Sequence, residues 1–161
     1  MIVIVMGVVG AGKTTVGRLL AERLRWEFAD ADDFHSPANV EKIRRGVPLN
    51  DHDRQPWLER LRSEAISWRD QGKNVVLACS ALKQSYRQQL RIGPEVEFVY
   101  LKGSAELIAS RLRLRPGHFA NEEILASQIA DLEEPENAIV VSIERSPEEI
   151  VDEIQTQLGL A

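Results

Sequence analysis

Short, nearly continuous apolar runs in this chain alternate with longer stretches where apolar residues return every three or four positions. The runs at 2–6, 74–79, 97–101 and 138–143 are rich in Val, Ile and Leu, which predicts strands covered on both faces, as in a parallel sheet. Segment 26–30, Trp-Glu-Phe-Ala-Asp, alternates and predicts one more strand. Helical spacing predicts helices at 13–25, 37–45, 55–71, 84–91, 105–114, 121–132 and 147–158. The first of these carries Val16, Leu19, Leu20 and Leu24 on one face; the third carries Trp57, Leu58, Leu61, Ala65, Ile66 and Trp68. Pro37 and Pro147 suit first helical turns, and Gly46 and Gly72 suit stops. No internal repeat interrupts the alternation. It predicts an α/β fold: a three-layer sandwich around a five-stranded parallel sheet with right-handed crossovers.

The stretch after the first run changes this from a fold class to a chemistry. Gly7-Val8-Val9-Gly10-Ala11-Gly12-Lys13-Thr14 fits G-x-x-x-x-G-K-[ST], placed where a strand ends and a helix opens. Glycines at 7, 10 and 12 let successive backbone N–H groups turn inward around an anion. The following helix adds its N-terminal dipole. Lys13 supplies a cation for the β- and γ-phosphates of a nucleoside triphosphate, and the Thr14 hydroxyl suits Mg²⁺. Residues Gly7, Val8, Val9, Gly10, Ala11, Gly12, Lys13, Thr14 and Thr15 are therefore the candidate nucleotide-binding set.

Composition narrows the partners. The 161 residues make about one domain, and a net charge of −5 without a basic track argues against a nucleic-acid surface. No apolar run approaches a membrane span, and the N-terminus lacks a basic segment before its short apolar stretch, so neither an anchor nor a signal peptide is expected. Cys79 is the only cysteine, which suits a reducing, cytoplasmic setting and a small buried side chain.

Other candidates cluster after predicted strands. If the backbone stays extended past residue 30, Asp30 and Asp32 project to the same side, where two carboxylates suit a metal or a substrate hydroxyl. The bland alternative is an acidic turn that caps the next helix. Asn50, Asp51 and Asp53 precede the third helix, and either aspartate is equally readable as its N-cap. Lys83, Arg87 and Arg91 share a helix face that is either solvated or, at Lys83, turned toward a ligand at a strand's carboxyl end. Arg111 and Arg115 also share a face, beside the Pro116-Gly117 elbow that joins two helices. That joint predicts a mobile lid over 111–133. No Asn-Lys-x-Asp guanine signature occurs, and no aspartate ends the 74–79 strand.

At this level the chain resembles a known family. The segments Asp30-Ala31-Asp32-Asp33-Phe34-His35, Pro48 to Leu58 around Asp51-His52-Asp53-Arg54, Ala78 to Arg87, Arg115-Pro116-Gly117-His118-Phe119, and Ser127-Gln128 with Leu132-Glu133-Glu134-Pro135 look like gluconokinase. The resemblance runs in order over nearly the whole chain. It implies a single P-loop kinase domain over 1–161, with a shikimate-kinase-like or nucleoside-monophosphate-kinase-like fold, a small helical lid and ATP:D-gluconate 6-phosphotransferase activity with Mg²⁺. It also suggests a homodimer. In that frame Lys13, Arg111 and Arg115 surround the transferring phosphoryl group, Asp32 accepts the hydroxyl proton, and Asp30 holds magnesium through water. Arg54 or Arg87 binds the substrate carboxylate, His35, Asp53 and Lys83 reach hydroxyls, and His118 belongs to the lid or, equally readable, is a satisfied structural histidine. The family carries Gly where this chain has Ala31, so a left-handed backbone there would be strained. Nearest among other readings is a related kinase such as one acting on shikimate; a nucleotide-binding switch and a nucleotide-dependent adaptor stand further off.

Overall fold

A computed structural model describes the backbone of residues 1–114 and 118–160 and the side chains of 1–114 and 122–160. Five strands, β1 (Ile2–Met6), β2 (Glu27–Asp30), β3 (Val75–Ala78), β4 (Val96–Lys102) and β5 (Ile139–Ser142), form one sheet in the order β2-β3-β1-β4-β5. Every pairing is parallel. The helices are α1 (Lys13–Leu24), α2 (Pro37–Arg44), α3 (Asp51–Asp70), α4 (Gln84–Leu90), α5 (Ala105–Arg113), α6 (His118–Asp131) and α7 (Pro147–Leu158).

The period of two along each strand sorts the core into two halves. Val3 and Val5 of β1, with Val99 and Leu101 of β4, face Val16 and Leu20 of α1, Leu112 of α5 and Ile154 of α7. Ile2, Ile4 and Met6 face the opposite way, with Phe98 of β4, onto Trp57, Leu58 and Leu61 of α3 and Leu90 of α4. The layers are those of the expected three-layer sandwich. β1 is buried at all five positions because it has a strand on each side and helices on both faces. Burial of a side chain such as Phe98 is worth about 1.5–3 kcal/mol. Gly17 lets α1 lie directly on the sheet, since a Cβ there would meet the Phe28 ring at 2.9 Å.

Several expectations change. The third helix begins at Asp51 rather than 55: Asn50 accepts from the Asp53 N–H, and the Asp53 carboxylate accepts from the Asn50 N–H, closing a capping box ahead of Pro56. The cap is therefore neither Asp51 nor Asp53. The backbone does not stay extended through Asp32; residues Ala31–Phe34 form a 3-10 turn, capped by the Asp30 carboxylate, which accepts from the Asp32 N–H at 3.0 Å. Ala31 carries no left-handed strain: the described non-glycine residues with positive φ are Arg25 and Ala81. On α1, Leu19 and Leu24 are only partly buried, and Gly17 and Ala21 share the covered face. Among the described residues no helix is long and apolar enough to cross a membrane.

Candidate active site

The loop between β1 and α1 closes around its own glycines. Gly12 caps α1 at φ 98°, a backbone that a side chain would strain. Val8 and Ala11 are buried in the core, and the loop is braced from within by the Ala11 N–H, which donates to the Val8 carbonyl at 3.1 Å. Gly10, at φ 83°, lies where a Cβ would come within 2.8 Å of Leu112, so α5 closes directly on the loop. Lys13 Nζ donates to the Val8 carbonyl at 3.0 Å, which holds the ammonium over the loop.

Beside the loop is a cavity of about 230 Å³, lined by Val9, Gly10, Gly12, Lys13, Thr14 and Thr15 on one wall. Asp30, Asp32, His35, Arg54 and Trp57 line the other wall, with Cys79 and Ser80 from the end of β3, and Ile124, Ser127 and Gln128 from α6. Polar groups of both charges thus converge on one concave space.

The two aspartates have different surroundings and so different properties. Both oxygens of Asp30 are occupied: Oδ1 accepts from the Asp32 N–H and Oδ2 from the Thr14 hydroxyl at 2.9 Å. The Thr14 proton is thereby spent on Asp30, and the oxygen's lone pairs are left for a cation. Asp32 is exposed on the cavity lining, yet the protein around it raises its pKa, first by burial and then through the Asp30 charge, against the pull of Lys13.

His35 stacks on Trp57, with ring centroids 4.4 Å apart and planes 12° from parallel. The buried Asn39 side chain uses Nδ2 to donate to the Asp53 carbonyl at 2.8 Å and lies 3.2 Å from His35 Nδ1. A carbonyl fixes Nδ2 as donor, so His35 Nδ1 accepts and the ring proton sits on Nε2. Burial, with Arg54 nearby, lowers the His35 pKa to about 4, which keeps the ring neutral.

Arg54 is buried and donates through Nη1 to the Tyr86 hydroxyl at 3.0 Å and to Asp131 at 2.9 Å. Burial works against its charge, and the Tyr86 and Asp131 contacts outweigh that, so its pKa rises. Tyr86 donates in turn to Asp51, which also receives Lys83 Nζ at 2.9 Å. Those two donors hold the Asp51 pKa below the ordinary carboxylate value.

The structure therefore brings the loop, Asp30, Asp32, His35 and Arg54 together and leaves other candidates aside. Asp53 is taken up by its capping box and by Lys42 at 2.9 Å. Lys83 pairs with Asp51. Arg87 is not on a solvated face: it is buried, donating to the carbonyls of Ala81, Leu82 and Glu133. Arg111 donates to the Ile143 carbonyl at 2.6 Å, away from the cavity lining. Arg115 and the side chain of His118 lie outside the described residues. Burial raises the Cys79 thiol to about 12, so this wall is inert. Sequence reasoning assigned no role to Trp57, Asn39, Tyr86, Asp131 or Gln128, because apolar spacing explains the aromatics and a polar residue on an amphipathic helix reads as solvated.

A parallel sheet with this loop at the end of its central strand, facing carboxylates at and just beyond the end of β2, two strands away, defines a P-loop phosphotransferase. A shikimate kinase family model matches residues 9–159. The gluconokinase of Gluconobacter oxydans (strain 621H) is 47% identical over 156 residues, which cover 94% of this chain and 87% of that protein. A sugar kinase structure from Janibacter sp. HTCC2649 superposes with a TM-score of 0.91 at 44% identity, covering 99% of this chain and 95% of that one. A gluconokinase structure from Sinorhizobium meliloti 1021 gives 0.87 at 37% identity, covering 98% and 90%. The chain belongs to the shikimate kinase family of P-loop kinases and, within it, to the gluconokinases.

Proposed function

We propose that this protein transfers the terminal phosphoryl group of ATP to the 6-hydroxyl of D-gluconate. One observation carries the reading: the P-loop with its Lys13 shares a single cavity with Asp32, whose pKa is raised, and with the Arg54 guanidinium. Phosphoryl transfer asks for charge neutralisation and alignment more than covalent chemistry, and these groups supply both.

The triphosphate lies along the loop, with backbone N–H groups and Lys13 on its β- and γ-oxygens. Asp32 accepts the proton of the incoming hydroxyl; its raised pKa brings it nearer the range of a useful base. Arg54 takes the gluconate carboxylate, a planar partner that its fork fits. Its charge is secured from behind by Asp131. His35, neutral and protonated at Nε2, donates to a substrate hydroxyl. The donor set also fits magnesium, because the Thr14 hydroxyl offers its lone pairs and Asp30 can reach the ion through water. Magnesium, when bound, neutralises charge on the β- and γ-phosphates. Residues 111–133 act as the lid. The single buried thiol fits work in the reducing cytoplasm.

The test is a coupled ADP-release assay over D-gluconate, other sugar acids, shikimate and nucleoside monophosphates. Gluconate should give the highest kcat/KM; faster turnover of shikimate, or ATP hydrolysis indifferent to every acceptor, would retire the reading. Asp32→Asn should keep affinity for a non-hydrolysable ATP analogue while kcat with gluconate falls by about a hundredfold or more.

A further inference from the structure

The backbone amide of Val9, inside the P-loop, has a partner 119 residues away: it donates to Gln128 Oε1 on α6 at 2.7 Å. Only the oxygen of a carboxamide accepts from an N–H, so this bond fixes which way the group faces. Oε1 rests on the loop, and Nε2 carries two protons on the other branch of the same plane. Val9 and Gln128 both line the cavity. Among the described residues Nε2 meets no protein acceptor and is not sealed from water, on a side chain that lines that cavity.

The position is specific. Val8 holds the Lys13 ammonium through its carbonyl, and the next residue, Val9, holds the Gln128 carboxamide through its amide. Two donors, one charged and one neutral, are thereby attached to consecutive residues of the phosphate loop. A dipole already fixed by the protein costs no reorganisation when charge shifts during transfer.

Resting on the reading that ATP and a sugar acid share this cavity, we propose that Gln128 donates through Nε2 to an oxygen of the transferring phosphoryl group while Oε1 stays on Val9. Helix α6 then contributes directly to the phosphate site, and the contact matters most where charge spreads over the equatorial oxygens.

Two substitutions separate this role from simple anchoring of the loop. Gln128→Glu keeps an acceptor for Val9 but replaces the donor with a negative charge, whereas Gln128→Met removes both at similar size. Wild-type turnover of gluconate is measured first; its absence retires the parent reading, and this inference with it. With the wild type active, Gln128→Glu should lower kcat by about a hundredfold or more. Gln128→Met should lower it less, with gluconate KM and melting temperature near wild type in both. A Gln128→Glu enzyme within about threefold of wild-type kcat overturns the proposal, since loop anchoring alone would then account for the residue. A loss seen only in gluconate KM, with kcat kept, overturns it equally.

Discussion

Asp30 and Asp32 stand two positions apart and differ in everything that matters chemically. One spends both oxygens on an N–H and a hydroxyl, so it is a fixed strut; the other keeps its oxygens for the cavity and is harder to ionise. Environment, not residue type, divides the labour. Lys13 is the cation nearest the loop's anion nest, and Lys13→Ala should leave the melting temperature within a few degrees of wild type while turnover falls by orders of magnitude; near-normal turnover would contradict its assignment. His35 offers a second test through proton linkage. Its folded pKa, about 4, lies below the ordinary 6.5, so the unfolded chain takes the proton first as pH falls. The stability of neutral His35 is present above pH 6.5 and lost between there and about 4. Discounted for its half-exposed position, the loss is about 2 kcal/mol, and denaturant titrations of His35→Gln across that window should show a flatter profile than wild type. Asp51 and Asp53, whose pKa values are lowered, lose their contribution at lower pH and leave this window clear.

At the scale of elements, the start of α3 decides the site. Apolar spacing predicts a start at 55, but the capping box of Asn50 and Asp53 begins the helix at Asp51 instead. Arg54 then falls three, four and seven residues before Trp57, Leu58 and Leu61, on the buried stripe. That one-turn extension turns a loop arginine into a buried, oriented guanidinium. Asn50→Ala should cost about 1 kcal/mol of unfolding free energy, read by denaturant titration, and raise gluconate KM more than it lowers kcat. No change in either would mean that the cap does not position Arg54. On α4, the regular spacing of Lys83, Arg87 and Arg91 reads as a basic face, but Arg87 instead satisfies carbonyls on the Ala81 turn and at Glu133. A buried arginine with good backbone acceptors does in the interior what water would do outside.

For the whole molecule, the strand order is what assembles the site. The chain places β3 and then β2 on one side of β1, and β4 and β5 on the other, so the connection from β1 runs to one side and that from β3 passes to the other, opening a crevice at the carboxyl end of β1. The loop, Asp30 and Ser80 sit at the ends of three adjacent parallel strands, which brings them into that crevice. Helix α6 covers it, tied at its far end by Asp131 to Arg54 and by the Glu133 N–H to the Leu82 carbonyl at 2.8 Å. Closure of a lid hinged at that tie predicts slower hydrogen exchange across 111–133 when an ATP analogue and gluconate are added together; unchanged exchange would remove the lid.

Local chemistry was enough to declare the strands, most helices and the phosphate loop, because apolar period, glycine freedom and capping residues act over a few neighbours. Binding of a nucleoside triphosphate followed from the loop, and the reaction with its acceptor from a resemblance spread along the chain. What folding alone decided was which charged groups share a space: Arg54 rather than Arg87 reaches the cavity, Lys83 and Asp53 are spoken for, and Gln128 meets Val9. Those choices depend on which side chains are desolvated together, a property of packed layers and crossovers that no run of adjacent residues contains.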